Sequence, residues 1–209
     1  MQKFKTIKEN VTVEIEEKHS KFIANIFYVE NVAAAEETIK QVKKQYYDAR
    51  HNCFAYIVKE EGLIKRFSDD GEPSGTAGSP ILNVLEKNEL YNTLIVVTRY
   101  FGGILLGAGG LVRAYTEAAT NAVEKAGAVF QEKGYEIEIC VSYQDIEKLK
   151  YYCNKNNIKI INTQYEEKVK CIIEVTEQEK DEILANNEYK DKLPNIIKSQ
   201  VLKEKYIKK

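Results

Sequence analysis

Residues Leu94–Tyr100 read LIVVTRY and run straight into Phe101-Gly102-Gly103, then into Leu106-Gly107-Ala108-Gly109-Gly110. So apolar and β-branched a run suits a central strand covered on both faces. The glycines then demand a sharp turn. Beyond them Leu111, Tyr115, Ala118, Ala119, Ala122 and Ala126 recur at helical spacing, a small-residue stripe that lets a helix lie close against a sheet, and Gly127 stops it. A buried strand, a glycine turn and a close-packed helix make an α+β domain the frame for the rest of the chain.

Upstream of that core the pattern alternates. Val11, Val13 and Ile15 alternate with polar residues and Phe22–Val29 is a second β-rich run, so the two read as adjacent strands joined around Lys18–Ser20. Asn31 is the expected N-cap of a helix whose apolar positions are Val32, Ala35, Ile39, Val42 and Tyr46. That spacing leaves Lys40, Lys43 and Lys44 mainly on the wet side. Cys53–Lys59 and Leu63–Phe67 read as two more strands with a turn at 60–62. Ser68–Pro80, SDDGEPSGTAGSP, gathers Gly71, Pro73, Gly75, Gly78 and Pro80 and reads as a loop throughout.

A second domain begins at Gly134. Strand Tyr135–Val141, a helix on Ile146, Leu149 and Cys153, a hairpin of 158–165 and 169–175, a helix from Gln178 to about Tyr189 and a strand over Ile196–Leu202 follow in turn. The order βαββαβ is the ferredoxin-like arrangement, an antiparallel sheet with both helices on one side. The expected domains are therefore 1–132 and 134–209.

Charge restricts what the chain can bind. The 31 basic and 32 acidic residues divide evenly, 17 against 18 over residues 1–133 and 14 against 14 after them. Wholesale neutralisation of duplex DNA needs a basic excess that neither half has, so any nucleic-acid contact must be local. Cys53, Cys140, Cys153 and Cys171 form no CxxC pair, which speaks against a zinc site or a disulfide framework and for reduced core thiols. The N-terminal MQKFKTIKEN has no apolar signal core and no run is long enough to span a bilayer; a soluble, cytoplasmic protein without membrane contact is expected.

Two loops hold the candidate chemistry. In the first, Asp69, Asp70 and Glu72 are followed by Ser74, Gly75, Thr76, Gly78 and Ser79. Close carboxylates could take a divalent cation and the glycines could present N–H groups to an anion, yet neither EF-hand spacing nor a P-loop lysine is present. An acidic turn capping the Ile81–Leu85 segment explains the same residues. In the second, Gly102 and Gly103 follow the strand and Gly107, Gly109 and Gly110 open a helix, where unsatisfied N–H groups collect and could meet a phosphate or carboxylate. Arg99 and Arg113 could add charge-assisted bonds, or Arg113 could simply pair with Glu117. His51 and Cys53 share one face of a strand; a Cys–His pair needs a cleft there, and otherwise Cys53 is core and His51 a hydrogen-bonding residue. No cofactor or metal motif is found.

Read together, Arg50-His51-Asn52-Cys53, DDGEPSGTAGSPIL at 69–82 and TRYFGGILLGAGGLVRAY at 98–115 closely resemble the signature of the IMPACT/YigZ family, in its order and spacing. The resemblance implies a first domain with the ribosomal protein S5 domain 2-like fold, a mixed sheet packed by helices, and a ferredoxin-like second domain similar to the last domain of elongation factor G. It also implies a setting near translation, with RNA, the ribosome or a translation protein as partner. The family signature stands at Asp69, Asp70, Glu72, Ser74, Gly75, Thr76, Arg99, Gly102, Gly103, Gly109, Gly110 and Arg113. An enzyme acting on a small phosphorylated or nucleotide substrate is the alternative, since glycine loops at helix starts also serve kinases of this fold class.

Overall fold

The computed structural model of the chain describes residues 3–60, 62–185 and 194–208. It divides into two compact units, Phe4–Phe130 and Gln131–Lys209 with residues 1–3. The first carries strands β1 (Phe4–Ile7), β2 (Val11–Glu17), β3 (Ser20–Tyr28), β4 (His51–Lys59), β5 (Leu63–Ser68) and β6 (Thr93–Tyr100), with helices α1 (Val32–Gln45), α2 (Gly78–Lys87) and α3 (Gly107–Ala126).

Its main sheet has the order β2-β3-β6-β4-β5. Every ladder in it is antiparallel, against the mixed sheet the resemblance implies. The reason lies in one insertion: α1 returns the chain so that β3 and β4 run the same way, but β6 takes the place between them and pairs with both in the opposite sense. The tight turn from β2 to β3 uses Lys18 (φ 47) and His19 (φ 63), the paired left-handed geometry that matches strand twist.

Helices cover both faces of this sheet. On one, Ala35, Ile39 and Val42 of α1 pack on Phe54, Tyr56, Val58, Leu94 and Val96. On the other, α2 and α3 pack on Phe22, Ala24, Cys53, Ala55, Ile95 and Val97. That is why β4 and β6 are apolar over Cys53–Val58 and Leu94–Val97. Asn31 caps α1 as expected, its Oδ1 accepting from the Ala34 N–H at 2.7 Å. Two features depart from expectation: β1 is a strand too short to show a period, and the last three residues of the loop 68–80 are the first turn of α2. Proline fits a first turn because its missing N–H would be unpaired there.

The second unit contains β7 (Ala128–Val141, whose last eleven residues belong to it), α4 (Ile146–Lys155), β8 (Lys159–Tyr165), β9 (Val169–Thr176), α5 (Glu177–Ala185) and β10 (Ile196–Lys208). Its strands run β10-β7-β9-β8, all antiparallel. Both helices cover one face, with Ile146, Leu149, Cys153 and Ile183 on Ile137, Ile139, Cys171, Ile173 and Val175. The last strand continues six residues past the expected Leu202, and the expected end of α5 near 189 lies outside the described residues. Cys140 is half-buried whereas the other three thiols are buried, so it is not a core thiol; all four are free. Among the described residues no helix is long and apolar enough to cross a membrane.

Candidate functional site

The residues of the loop after β5 divide by what their side chains hold. Asp69 is taken up entirely by backbone: Oδ2 accepts from Gly75 N–H at 2.8 Å, and Oδ1 from Ala77 and Gly78 N–H at 3.0 and 2.8 Å. The last two groups belong to the start of α2, whose own N-cap, Ala77, has no side-chain oxygen to offer. Partial burial pushes the Asp69 carboxyl up, but the three N–H donors together outweigh it and hold the acid below the ordinary Asp range. Asp69 is thus a helix cap supplied from a distance.

Asp70 is equally committed. It sits at φ 45, pairs with Lys43 Nζ at 2.6 Å, and accepts from Asn52 N–H at 2.7 Å. Its carbonyl lies 2.9 Å from His51 Nδ1, a contact that places the imidazole proton on Nδ1 because a carbonyl can only accept. Thr76 closes the turn on Pro73 O at 2.6 Å, while Ser74 and Gly75 are exposed. Gly78 has no room for a Cβ against the Ser68 carbonyl, at 2.7–2.8 Å. The three carboxylates therefore diverge, and among the described residues no group of three or more His, Cys, Asp or Glu is placed to hold a metal ion.

Glu72 turns inward to a buried network. Its Oε1 accepts from Arg99 Nη1 and from the Tyr115 hydroxyl, both at 2.8 Å. Arg99 is only 6% exposed, lies over the rings of Phe22 and Phe101 at 5.5 and 5.6 Å, and reaches Ser20 Oγ at 3.5 Å. Ser20 Oγ in turn accepts from Gly102 N–H at 3.1 Å, and a side chain at Gly102 would overlap the His19 carbonyl. Cys53 Sγ lies 3.0 Å from Asp69 O and 3.3 Å from Tyr115 Oη, and its single S–H can donate to one of them at a time. Both end groups are driven toward the neutral form, the Cys53 thiol pushed up to about 12 and the Tyr115 phenol raised further, in each case first by burial. Burial likewise raises Cys153 to about 12 and lifts Cys171. At pH 8 a native-state thiol titration is therefore expected to modify Cys140 first, the other three reacting only on unfolding; prompt labelling of Cys53, mapped by mass spectrometry, would contradict its burial.

This network underlies a cleft of about 350 Å³ lined by Arg50, His51, Glu72, Pro73, Arg99, Phe101 and the 105–108 segment, with Leu111 beneath. Gly107 adopts φ 73 at the start of α3, and the N-cap there, Leu106, makes no side-chain bond to the first-turn N–H groups. Of the residues expected to bind, the cleft gathers His51, Glu72, Arg99 and Gly107. Gly102, Gly103, Gly109 and Gly110 shape the adjoining turn and helix start without lining it. Arg113 points to solvent on α3, away from the lining, and makes no ion pair with Glu117 among the described residues. Sequence reasoning missed Tyr115, placed in a packing stripe, and Arg50, the exposed cation on the cleft. Arg50 was visible as the first residue of the Arg-His-Asn-Cys segment.

Comparison with known proteins follows these segments. The Impact N-terminal domain model matches residues 18–123, and a domain of unknown function, DUF1949, matches 139–185. YvyE, an IMPACT family member of Bacillus subtilis, is 39% identical over 83% of this chain and 80% of its own length. YigZ of Escherichia coli is 35% identical over 75% of this chain and 78% of its own. A crystal structure described as that of a hypothetical protein superposes with a TM-score of 0.63 at 31% identity, covering 97% of both chains.

Proposed function

This chain belongs to the IMPACT family, and on that premise we propose that it is a translation-associated regulatory protein that contacts RNA, the ribosome or a translation protein through the surface between its two glycine-rich loops. The observation that carries the reading is convergence: segments around residues 50, 72, 99 and 107, far apart in sequence, supply one cleft. The three signature segments thus meet at one cleft. The strand order β10-β7-β9-β8 with both helices on one face supports the ferredoxin-like reading of the second unit. The S5-like reading of the first unit rests on the resemblance. That the chain resides in the cytoplasm goes with both.

Arg99 is buried in the network, so replacing it tests the fold rather than the surface. The informative variant is Arg50→Glu, at an exposed position on the cleft. Co-sedimentation with bacterial ribosomes is expected to fall at least tenfold relative to wild type, with unchanged unfolding midpoints. Equal sedimentation of the two proteins, or none for either, would remove the proposal. The enzymatic alternative draws on the uncapped start of α3, and a thermal-shift screen with nucleotides and phosphorylated metabolites, with and without magnesium, separates it.

A further inference from the structure

The cleft is built for a different chemistry from that of a phosphate groove. Its floor is apolar: Leu111 is 5% exposed and belongs to the core beneath, and Leu106 packs against the same core. Its mouth is apolar too, with Phe101 at 48% and Leu105 at 82% exposed, and Ile104 and Val112 exposed beside them. A large aliphatic side chain held that far into water, next to three other exposed apolar residues, is what an unpartnered protein-docking surface presents.

Charge narrows the occupant further. Arg99 pairs with Glu72 through Nη1, so those two charges cancel within the wall, and its buried Nε makes no hydrogen bond. Arg50 is the free cation among the described lining residues, exposed and without an ion pair, and the first-turn N–H groups of α3 lie on the same cleft. One cation and a helix start suit a single carboxylate. A nucleic-acid backbone brings a charge at every residue and is held by several cations at once, which neither this cleft nor the balanced charge of the first unit provides.

We infer that the cleft takes a short segment of a partner protein in which an apolar side chain stands next to a carboxylate, from Asp, Glu or a chain terminus. The apolar side chain fills the space between Leu106, Leu111 and Phe101 under Leu105, and the carboxylate meets Arg50. This rests on the reading of the glycine-loop surface as the partner surface and chooses, among its candidates, a protein.

The test uses the full chain and random decapeptides displayed on phage. Selected peptides are expected to share an aliphatic or aromatic residue adjacent to an acid or a free C-terminus. By fluorescence anisotropy the best of them should bind at least tenfold more weakly to Arg50→Glu and to Leu105→Asp, both exposed positions that leave folding intact. Its salt dependence should correspond to about one ionic contact, and decauridylate should not displace it. Peptides that ignore both substitutions, or decauridylate binding in the cleft with a steep salt dependence, would overturn the inference. The two readings fail separately. Decauridylate perturbing Gly107–Leu111 amide resonances alongside Arg50-dependent ribosome binding sinks the peptide and leaves the surface. Peptide binding in the cleft with ribosome association indifferent to Arg50 sinks the translation setting.

Discussion

Replacing Arg99 by alanine is expected to cost about 3–5 kcal/mol of stability, the range for removing one partner of a buried ion pair. The loss is large because of what stays behind. Glu72, whose side chain is 3% exposed, would keep the Tyr115 hydroxyl but lose its counter-charge. Ser20 and the rings of Phe22 and Phe101 would lose a neighbour at the same time. Since a domain's whole stability is of order 5–15 kcal/mol, urea unfolding of the variant should begin close to native conditions. The companion is Arg99→Met with Glu72→Leu. Removing both charges together relieves the uncompensated ion and should recover most of the loss, whereas Tyr115→Phe should cost about 1.5–3 kcal/mol for one hydrogen bond to a charged group. An Arg99→Ala protein within 1 kcal/mol of wild type would show that the pair does not hold the loop to the sheet.

That network also shows where sequence reading stops. The elements were legible because their periods are local: β4 and β6 as continuous apolar runs, α1 from Asn31 and its three-four spacing, α3 from the alanine stripe. Arg99 was legible in principle. It follows Ile95 and Val97 at a spacing of two, both in the core against α2 and α3, so its side chain had to leave on the buried face. That alternation places the side chain beside the core, where it pairs with Glu72 in the wall of the cleft. What the chain alone could not show is that Glu72 supplies the matching charge from 27 residues away and Tyr115 the second donor. Such partners are set by how the loop folds back on the sheet. The start of α2 was hidden for a related reason, because Gly78 and Pro80 are breakers in a helix interior but acceptable in a first turn. A residue nine positions away provides the cap.

Asp69→Ala should therefore act on α2 more than on any ligand. Three N–H groups lose their acceptor at once, and bonds to a charged group contribute about 1.5–3 kcal/mol each when isolated. They share one carboxylate and the alanine variant admits water, so the expected loss is about 3 kcal/mol, less than the sum. Asp69→Asn separates geometry from charge. An amide oxygen can still face Ala77 and Gly78, but its NH2 then points at the Gly75 N–H, donor against donor, and roughly half of the loss should remain. The sign of the pH dependence follows from the depressed carboxyl. The native state favours the ionised form, so the stabilisation is complete above the unfolded value near 3.9 and disappears as pH falls through the lower native value. The gap between wild type and Asp69→Asn should accordingly be constant from pH 8 to 5 and narrow only below about pH 4. Urea titrations at stepped pH measure it directly. A gap that widened on acidification would mean that the loop holds the protonated acid, and the capping assignment would fall with it.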